Sequence, residues 1–175
     1  MPVRVVTISQ TPRLPQTWRP LLETAREAAL DVDPSFSWVS VIGFGVDATG
    51  GIDLTDARSF TKRWTFGFRT PQGRTLSVTW RTPAWGGENP LVTPDDGSIV
   101  PEIPFPAPGS LPDSPTVLRL YAEGSCRPLA GRDGDFVLYS VVDALPRVNL
   151  ANEEGDGWRA RVNEQGDLSV DFDCP

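Results

Sequence analysis

The sequence predicts an α+β protein made of two diverged repeats, each a helix followed by an antiparallel hairpin or meander, joined by a proline-rich segment. Three patterns lead to this prediction: two segments with helical spacing of apolar residues, two hairpin patterns that begin with tryptophan, and a proline cluster between them. The chain has 175 residues, of which 39% are hydrophobic. This length suffices for a buried core without disulfides or metal ions.

The first unit, residues 1–82, is predicted to contain a helix that starts near Thr17. Thr17 is the expected capping residue, and Pro20 is tolerated in the first turn. Asp33-Pro34 ends the helix, because the residue before a proline is disfavoured in the helical conformation. The apolar side of the helix comprises Leu21, Leu22, Ala25, Ala28 and Ala29.

Strands follow this helix. We expect an apolar strand over residues 36–44, broken by Gly43 and Gly45, and residues 3–8 can add an edge strand. The clearest element is a hairpin, in which the loop Pro71-Gln72-Gly73 predicts a type I turn followed by a left-handed glycine. That loop sets the register, which pairs Phe68 with Leu76, Phe66 with Val78 and Trp64 with Trp80.

Residues 83–112 are predicted to connect the two halves. Nine of the 18 prolines lie between Pro83 and Pro115. Proline lacks the backbone donor and restricts φ, so we expect neither a helix nor a central strand here. The apolar residues of the segment favour an extended stretch laid across the domain over a freely solvated linker.

The second unit, residues 113–175, repeats the pattern. Asp113-Ser114-Pro115 begins a short helix that runs to Glu123, and Gly124 stops it. A strand over residues 135–142 and a hairpin that starts at Trp158 follow. The expected hairpin pairs are Val162 with Leu168, Ala160 with Val170 and Trp158 with Phe172. Helix-plus-meander units also occur in cystatin-like and PepSY-like modules, an analogy of architecture that carries no function.

Charge is distributed unevenly along this acidic chain, whose net charge is −7. Residues 1–90 hold 10 basic and 8 acidic groups, whereas residues 91–175 hold 6 basic and 15 acidic groups. No acid lies between Ala57 and Gly87, and the outer face of the first hairpin combines arginines with Thr and Ser. This face can bind an anionic small ligand or an acidic protein. Alternatively, it is a solvated face, or it contacts the acidic half of the same molecule. The candidate arginines are Arg63, Arg69, Arg74 and Arg81. Nucleic acid is a poor match for an acidic protein.

Other candidate interaction residues are aromatic or acidic. Trp18 lies at a helix start and Trp85 in a Pro/Gly-rich segment, so both are candidate exposed anchors for a protein interface. Trp38, Trp64, Trp80 and Trp158 are expected in the core. The acidic residues Glu153, Glu154 and Asp156 would meet a basic partner and would mainly raise the association rate.

Several classes of chemistry lack support in the sequence. There is no histidine, and no phosphate-binding, dinucleotide-binding or hydrolase motif is present. The carboxylates Asp47, Asp53 and Asp56 fit turns better than a calcium loop, because Arg58 stands where a bidentate Glu is needed. No cofactor or metal is expected. Cys126 and Cys174 are expected to be reduced, structural thiols.

The leading functional prediction is a non-catalytic cytosolic protein-binding module, of the immunity, inhibitor or adaptor type. Small size, acidic charge, aromatic content and the missing catalytic motifs favour it. The chain has no membrane-spanning apolar stretch and no signal-peptide pattern at its start, so a cytoplasmic location is expected. The alternatives are a module that binds a small anion through the arginine-rich hairpin face and a structural subunit of a larger assembly.

Overall fold

The computed structural model describes residues 16–95, 113–123, 136–141, 147–151, 157–162 and 168–169. These ranges contain the helices α1 (Trp18–Val32) and α2 (Ser114–Glu123) and a 3₁₀ turn at Pro83–Trp85. The strands are β1 (Ser37–Val46), β2 (Arg63–Arg69), β3 (Thr75–Arg81), β4 (Leu91–Pro94), β5 (Phe136–Val141), β6 (Arg147–Ala151), β7 (Gly157–Val162) and β8 (Leu168–Ser169). The predicted α+β class with an antiparallel sheet is confirmed.

The eight strands form one sheet with the order β4-β3-β2-β1-β5-β6-β7-β8. Every neighbouring pair is antiparallel. The centre of the sheet is the β1–β5 pair, in which Val41 lies opposite Ser140. Strands from the first part of the chain therefore lie on one side of this pair, and later strands lie on the other side.

Helix α1 has the predicted bounds, from Trp18 to Val32, with Thr17 at the N-cap position. The Thr17 side chain makes no capping hydrogen bond, so the expected capping role is wrong although the position is right. At the other end, the Asp33 N–H donates to the Ala29 carbonyl at 3.1 Å. The helix packs on β1, β2 and β3. Its buried residues are Trp18, Leu21, Leu22, Ala25 and Ala29.

The hairpin formed by β2 and β3 has the predicted register, since Trp64 pairs with Trp80, Phe66 with Val78 and Phe68 with Leu76. Gly73 has φ 85°, the left-handed conformation that the turn requires. The Gly73 N–H donates to the Thr70 carbonyl at 2.9 Å, and the Thr70 N–H donates to the Arg74 carbonyl at 2.9 Å. Local alternation and turn chemistry thus determine this hairpin.

The prediction that Gly43 and Gly45 break the first strand is wrong, because β1 continues through both glycines to Val46. Glycine is needed at position 43 because the indole of Trp64, which is 0% exposed, lies against the backbone there. A Cβ atom at Gly43 would lie 2.7 Å from both Cε3 and Cη2 of that ring. The Trp64 Nε1–H donates to the Gln16 carbonyl at 2.9 Å. Gly43 therefore makes room for a core tryptophan.

The proline-rich segment differs in one detail from the prediction of no helix, since residues 83–85 form a single 3₁₀ turn. Further on, β4 is an edge strand that pairs with β3, in keeping with the exclusion of proline from central strands. Residues 96–112 lie outside the described residues. The role of residues 83–112 as a connection between two units stays a prediction.

In the second half, α2 and β5 lie where the sequence predicted a helix and a strand. Strand β6 was not predicted, and it separates β5 from the hairpin of β7 and β8. The predicted pair Val162–Leu168 is confirmed, whereas Val170 and Phe172 lie outside the described residues. Residues 3–8, Cys126 and Cys174 also lie outside them.

The core lies between α1 and one face of the sheet. It contains buried aromatic side chains from the first hairpin, together with Val117 and Leu118 of α2 and Leu150 of β6. The aromatic members are Trp18, Phe36, Trp64, Phe66, Phe68 and Trp80. Neither helix in the described ranges has the length and apolar composition needed to cross a membrane.

Candidate functional site

Three of the predicted interaction residues come together at one end of the first hairpin. Arg63 at the start of β2 lies opposite Arg81 at the end of β3, and Trp85 follows in the 3₁₀ turn. Phe44 of β1 lies opposite Arg63 on the other side. We call Phe44, Arg63, Arg81 and Trp85 the Arg–Trp cluster.

The cluster is held by contacts between guanidinium groups and aromatic rings. The Arg63 Cζ atom lies 3.8 Å from the Phe44 ring centroid and 5.9 Å from that of Trp85. The Arg81 Cζ atom lies 5.8 Å from the Trp85 centroid. Like charges directly opposite each other on a sheet repel, and cation–π contacts of this kind offset part of that cost.

Backbone carbonyls bind the same guanidinium groups. Arg63 Nη1 donates to the Thr61 carbonyl at 3.1 Å, and Arg81 Nη2 donates to the Gly86 and Glu88 carbonyls at 3.0 and 3.5 Å. Burial lowers the pKa of Arg63, but an arginine still carries its charge at neutral pH. The Arg81 Nε atom is buried and has no hydrogen-bond partner. These contacts hold both side chains in place, although the buried Nε–H of Arg81 has no partner.

Hydrogen bonds hold the loop that carries Trp85 at both of its ends. The Asn89 side chain pairs with the Arg81 backbone, donating from Nδ2 to the carbonyl at 2.8 Å and accepting from the N–H at 3.1 Å. The Thr82 hydroxyl donates to the Ser59 carbonyl. The N–H of Trp85 donates to the Thr82 carbonyl at 3.3 Å. The Trp85 side chain is nevertheless 42% exposed, so a fixed loop presents a large apolar ring.

Phe60 adds a second exposed aromatic residue near this loop. It follows Ser59, whose carbonyl accepts the Thr82 hydrogen bond, and it is 64% exposed. Among the residues whose exposure the structure describes, Phe60 and Trp85 are the exposed aromatic residues.

The structure corrects the prediction for Trp18. Its side chain is 1% exposed and lies against Trp38 with ring centroids 5.4 Å apart, so it cannot anchor a partner. The physical reason is that Trp18 belongs to the apolar side of α1, which packs on the sheet. A tryptophan at a helix start looks exposed in the sequence, but here the core already begins in the first turn.

The remaining predicted site residues lie apart from the cluster. Arg74, in the hairpin turn, forms an ion pair with Asp33 at the end of α1 and lies 5.8 Å from the Phe36 ring. Arg69 lies at the opposite end of β2 from Arg63, paired with Thr75. Glu153, Glu154 and Asp156 lie outside the described residues.

The hydroxyl groups on the outer hairpin face bond to one another or to backbone. Thr79 donates to the Thr65 hydroxyl at 3.1 Å, and the Ser77 and Thr93 hydroxyls are 2.8 Å apart. Thr65 and Ser77 are each only 7% exposed. These hydroxyls stabilise strand pairing and leave little capacity for a small anionic ligand.

The carboxylates between β1 and β2 close turns, as the sequence favoured. Asp47 Oδ1 accepts from the N–H and hydroxyl of Thr49 at 2.8 and 2.6 Å, and Asp53 Oδ1 does the same for Thr55 at 2.8 and 2.9 Å. Hydrogen bonds from the Arg58 N–H and from Lys62 lower the pKa of Asp56. The part of the chain that the structure describes contains no group of three potential metal ligands.

Sequence reasoning missed two residues of this site. Phe44 was assigned to an apolar strand, although alternation along β1 places it on the outer face with Ile42. Asn89 carried no signal of its own, because its hydrogen bonds depend on the path of the whole loop.

Comparisons with protein-family models, with curated proteins and with solved structures find no match for this chain.

Proposed function

We propose that this protein is a non-catalytic protein-binding module and that the Arg–Trp cluster is its anchor. The observation that carries the proposal is the exposed Trp85 ring held beside two arginines on a fastened loop. Trp and Arg are the residues most enriched among interface positions that contribute most of the binding energy. A fixed loop also loses little conformational freedom when a partner binds.

Protein binding fits the geometry better than binding of a small anion. Arg63 and Arg81 already donate to three backbone carbonyls and contact aromatic rings. Their charge still attracts acidic groups, but the N–H groups of Arg63 Nη1 and Arg81 Nη2 already donate to backbone carbonyls, which favours a broad acidic surface over an enclosed phosphate or carboxylate. An exposed aromatic ring beside two guanidinium groups suits a protein surface, whose rim supplies acidic side chains.

The module would act by occluding or scaffolding its partner, as an immunity-type inhibitor or an adaptor does. A cytosolic location belongs to the same proposal and is checked by imaging a fluorescent fusion in the source organism. We also infer that the two halves are diverged repeats. In support, the strand order runs outward from the central pair in both halves. When the halves are aligned by strand order, β7 corresponds to β3, so Trp158 corresponds to Trp80. The hairpin patterns instead matched Trp158 with Trp64 of β2, one strand nearer the centre.

The test is affinity capture from a lysate of the source organism, quantified by mass spectrometry for wild type, Trp85→Ala and Leu30→Ala. Leu30 is the matched control, because it is 44% exposed but lies on α1. We expect one stoichiometric protein with wild type and Leu30→Ala, and at least tenfold less of it with Trp85→Ala. Equal capture by all three proteins, or no captured protein at all, would refute the role of the cluster.

A further inference from the structure

The charged residues of the sheet share one sign and one face. The described strands contain six arginines and no Lys, Asp or Glu. The register places all six on the sheet face opposite α1, which we call the arginine face. Its arginines are Arg63, Arg69, Arg81, Arg147, Arg159 and Arg161.

Continuous rows of paired residues connect the two halves across this face. One row runs from Thr65 through Ile42, Tyr139 and Asn149 to Arg159. The next row joins Ser40 through Val141 to the pair of Arg147 and Arg161. Residues directly paired in an antiparallel sheet lie on the same face, so the second-half arginines share the face of the Arg–Trp cluster.

The centre of the arginine face is apolar. Strands β1 and β5 place mostly apolar residues there, between arginines of β2 and β3 on one side and of β6 and β7 on the other. At this centre the register places Ile42 and Phe44 of β1 beside Val137, Tyr139 and Val141 of β5, whereas Ser40 on the same face is 1% exposed and is not available to a partner. An apolar centre with a charged rim is the usual anatomy of a protein–protein interface.

We infer that the arginine face binds an acidic protein surface that spans the β1–β5 pair and contacts both halves. This inference rests on the proposed function and specifies the chemistry of its partner. Because the strands carry only positive charge on this face, the partner must supply carboxylates around its own apolar centre. The Arg–Trp cluster then forms one end of a larger interface.

The partner is assigned to protein because two observations argue against other polyanions. The net charge of −7 repels a long phosphate backbone or an anionic membrane beyond the immediate contact. The central residues Ile42 and Phe44 and the exposed Trp85 provide apolar contacts that a phosphate backbone does not use. A second copy of this chain is the alternative protein partner, since residues 91–175 carry 15 acidic groups.

The test measures binding of fluorescein-labelled poly-L-glutamate by fluorescence anisotropy at about 20 mM and about 200 mM salt. The variants are Arg63→Glu/Arg81→Glu in the first half and Arg159→Glu/Arg161→Glu in the second, with the matching Gln pairs in case a Glu pair does not fold. Arg26→Glu/Arg119→Glu is the control, because it changes net charge equally at two exposed helix positions. Circular dichroism establishes that each variant is folded.

We expect wild type and the helix control to bind, and each arginine-face pair to weaken binding about tenfold at low salt. Equal weakening by the control, or no binding of poly-L-glutamate by wild type, would overturn the inference. Equal or tighter binding of a duplex DNA oligonucleotide or of phosphatidylserine vesicles would assign the face to another class of partner. A salt-sensitive dimer in sedimentation velocity that only arginine-face variants disperse would identify a second copy instead.

This outcome is separable from that of the proposed function. If Trp85→Ala abolishes capture of a lysate protein while Arg159→Glu/Arg161→Glu leaves that capture unchanged, the extended interface is wrong and the proposed function stands. If neither variant changes the capture, both fail. Loss of capture in both variants supports the extended interface only together with the weakened binding of poly-L-glutamate.

Discussion

The two faces of the sheet are made from the same strands but have opposite chemistry. The face beneath α1 holds the buried rings of Trp64, Phe66 and Trp80, and the described strands place no charged residue on it. The other face holds every charged residue of those strands, and all are arginines. Because side chains alternate along a strand, neighbouring residues such as Thr65 and Phe66 belong to different environments. Core packing and the chemistry of the outer face can therefore be altered separately, one residue apart.

The sharpest way to test this comparison is to truncate neighbouring residues of β2. Phe66 is 0% exposed and contacts Trp80 edge to face at 5.8 Å, so Phe66→Ala should cost about 3–5 kcal/mol of unfolding free energy. Thr65→Ala should cost about 1 kcal/mol, since it loses one hydroxyl pair with Thr79. Urea unfolding followed by circular dichroism measures both. Similar losses from the two substitutions would contradict the division between faces.

A smaller effect is expected where two strands approach closely on the covered face. Gly43→Ala places a methyl group 2.7 Å from two carbons of the Trp64 ring, which should cost about 1–3 kcal/mol. In a Trp64→Phe background the same substitution should cost less, because the smaller ring leaves space beside β1. A double-mutant cycle in urea measures this coupling. If the two costs simply add, the indole is not what requires glycine at position 43.

The smallest effect concerns an exposed loop that belongs to neither face. Hydrogen bonds from the Arg58 N–H and from Lys62 lower the pKa of Asp56 below 3.8 in the folded protein. Its contribution to stability is therefore present above pH 3.8 and is lost as pH falls through the folded-state pKa. Asp56→Asn should be slightly less stable than wild type at neutral pH, and the difference should disappear in acid. Thermal unfolding across pH measures it.

Lys62→Met tests the contribution of one of the two hydrogen-bond donors to Asp56. It removes the side-chain partner at 3.1 Å and leaves the Arg58 N–H in place. A pH-dependent loss smaller than that of Asp56→Asn is expected. A stability difference between Asp56→Asn and wild type that persists unchanged in acid would exclude the charge of Asp56 as its origin.

Local signals predicted the helices and the first hairpin, because these depend on residues close in sequence. The bounds of α1 follow from its apolar spacing and from Asp33-Pro34, and the hairpin register follows from Gly73. Strands β4 and β6 escaped prediction because they are short and their pairing depends on neighbouring strands. The continuation of β1 through Gly43 likewise depends on Trp64, a residue of another strand.

The candidate site was likewise predictable only where it depends on residues close in sequence. Hairpin register alone places Arg63 opposite Arg81. The ion pair of Arg74 with Asp33 and the burial of Trp18 depend on how α1 packs against the sheet, which no local pattern specifies. The alignment of second-half arginines with the first hairpin required the β1–β5 pairing, which joins residues far apart in the chain.

That central pairing also matters while the protein is being synthesised. Strand β1 leaves the ribosome well before β5, so in the nascent chain one edge of β1 lacks its partner until residues 136–141 emerge. An unpaired edge of a hydrophobic strand is a template for aggregation, and the residues of β1 include Val41, Ile42 and Phe44. Because such long-range pairing forms slowly, we expect the translation rate between β1 and β5 to affect the yield of folded protein.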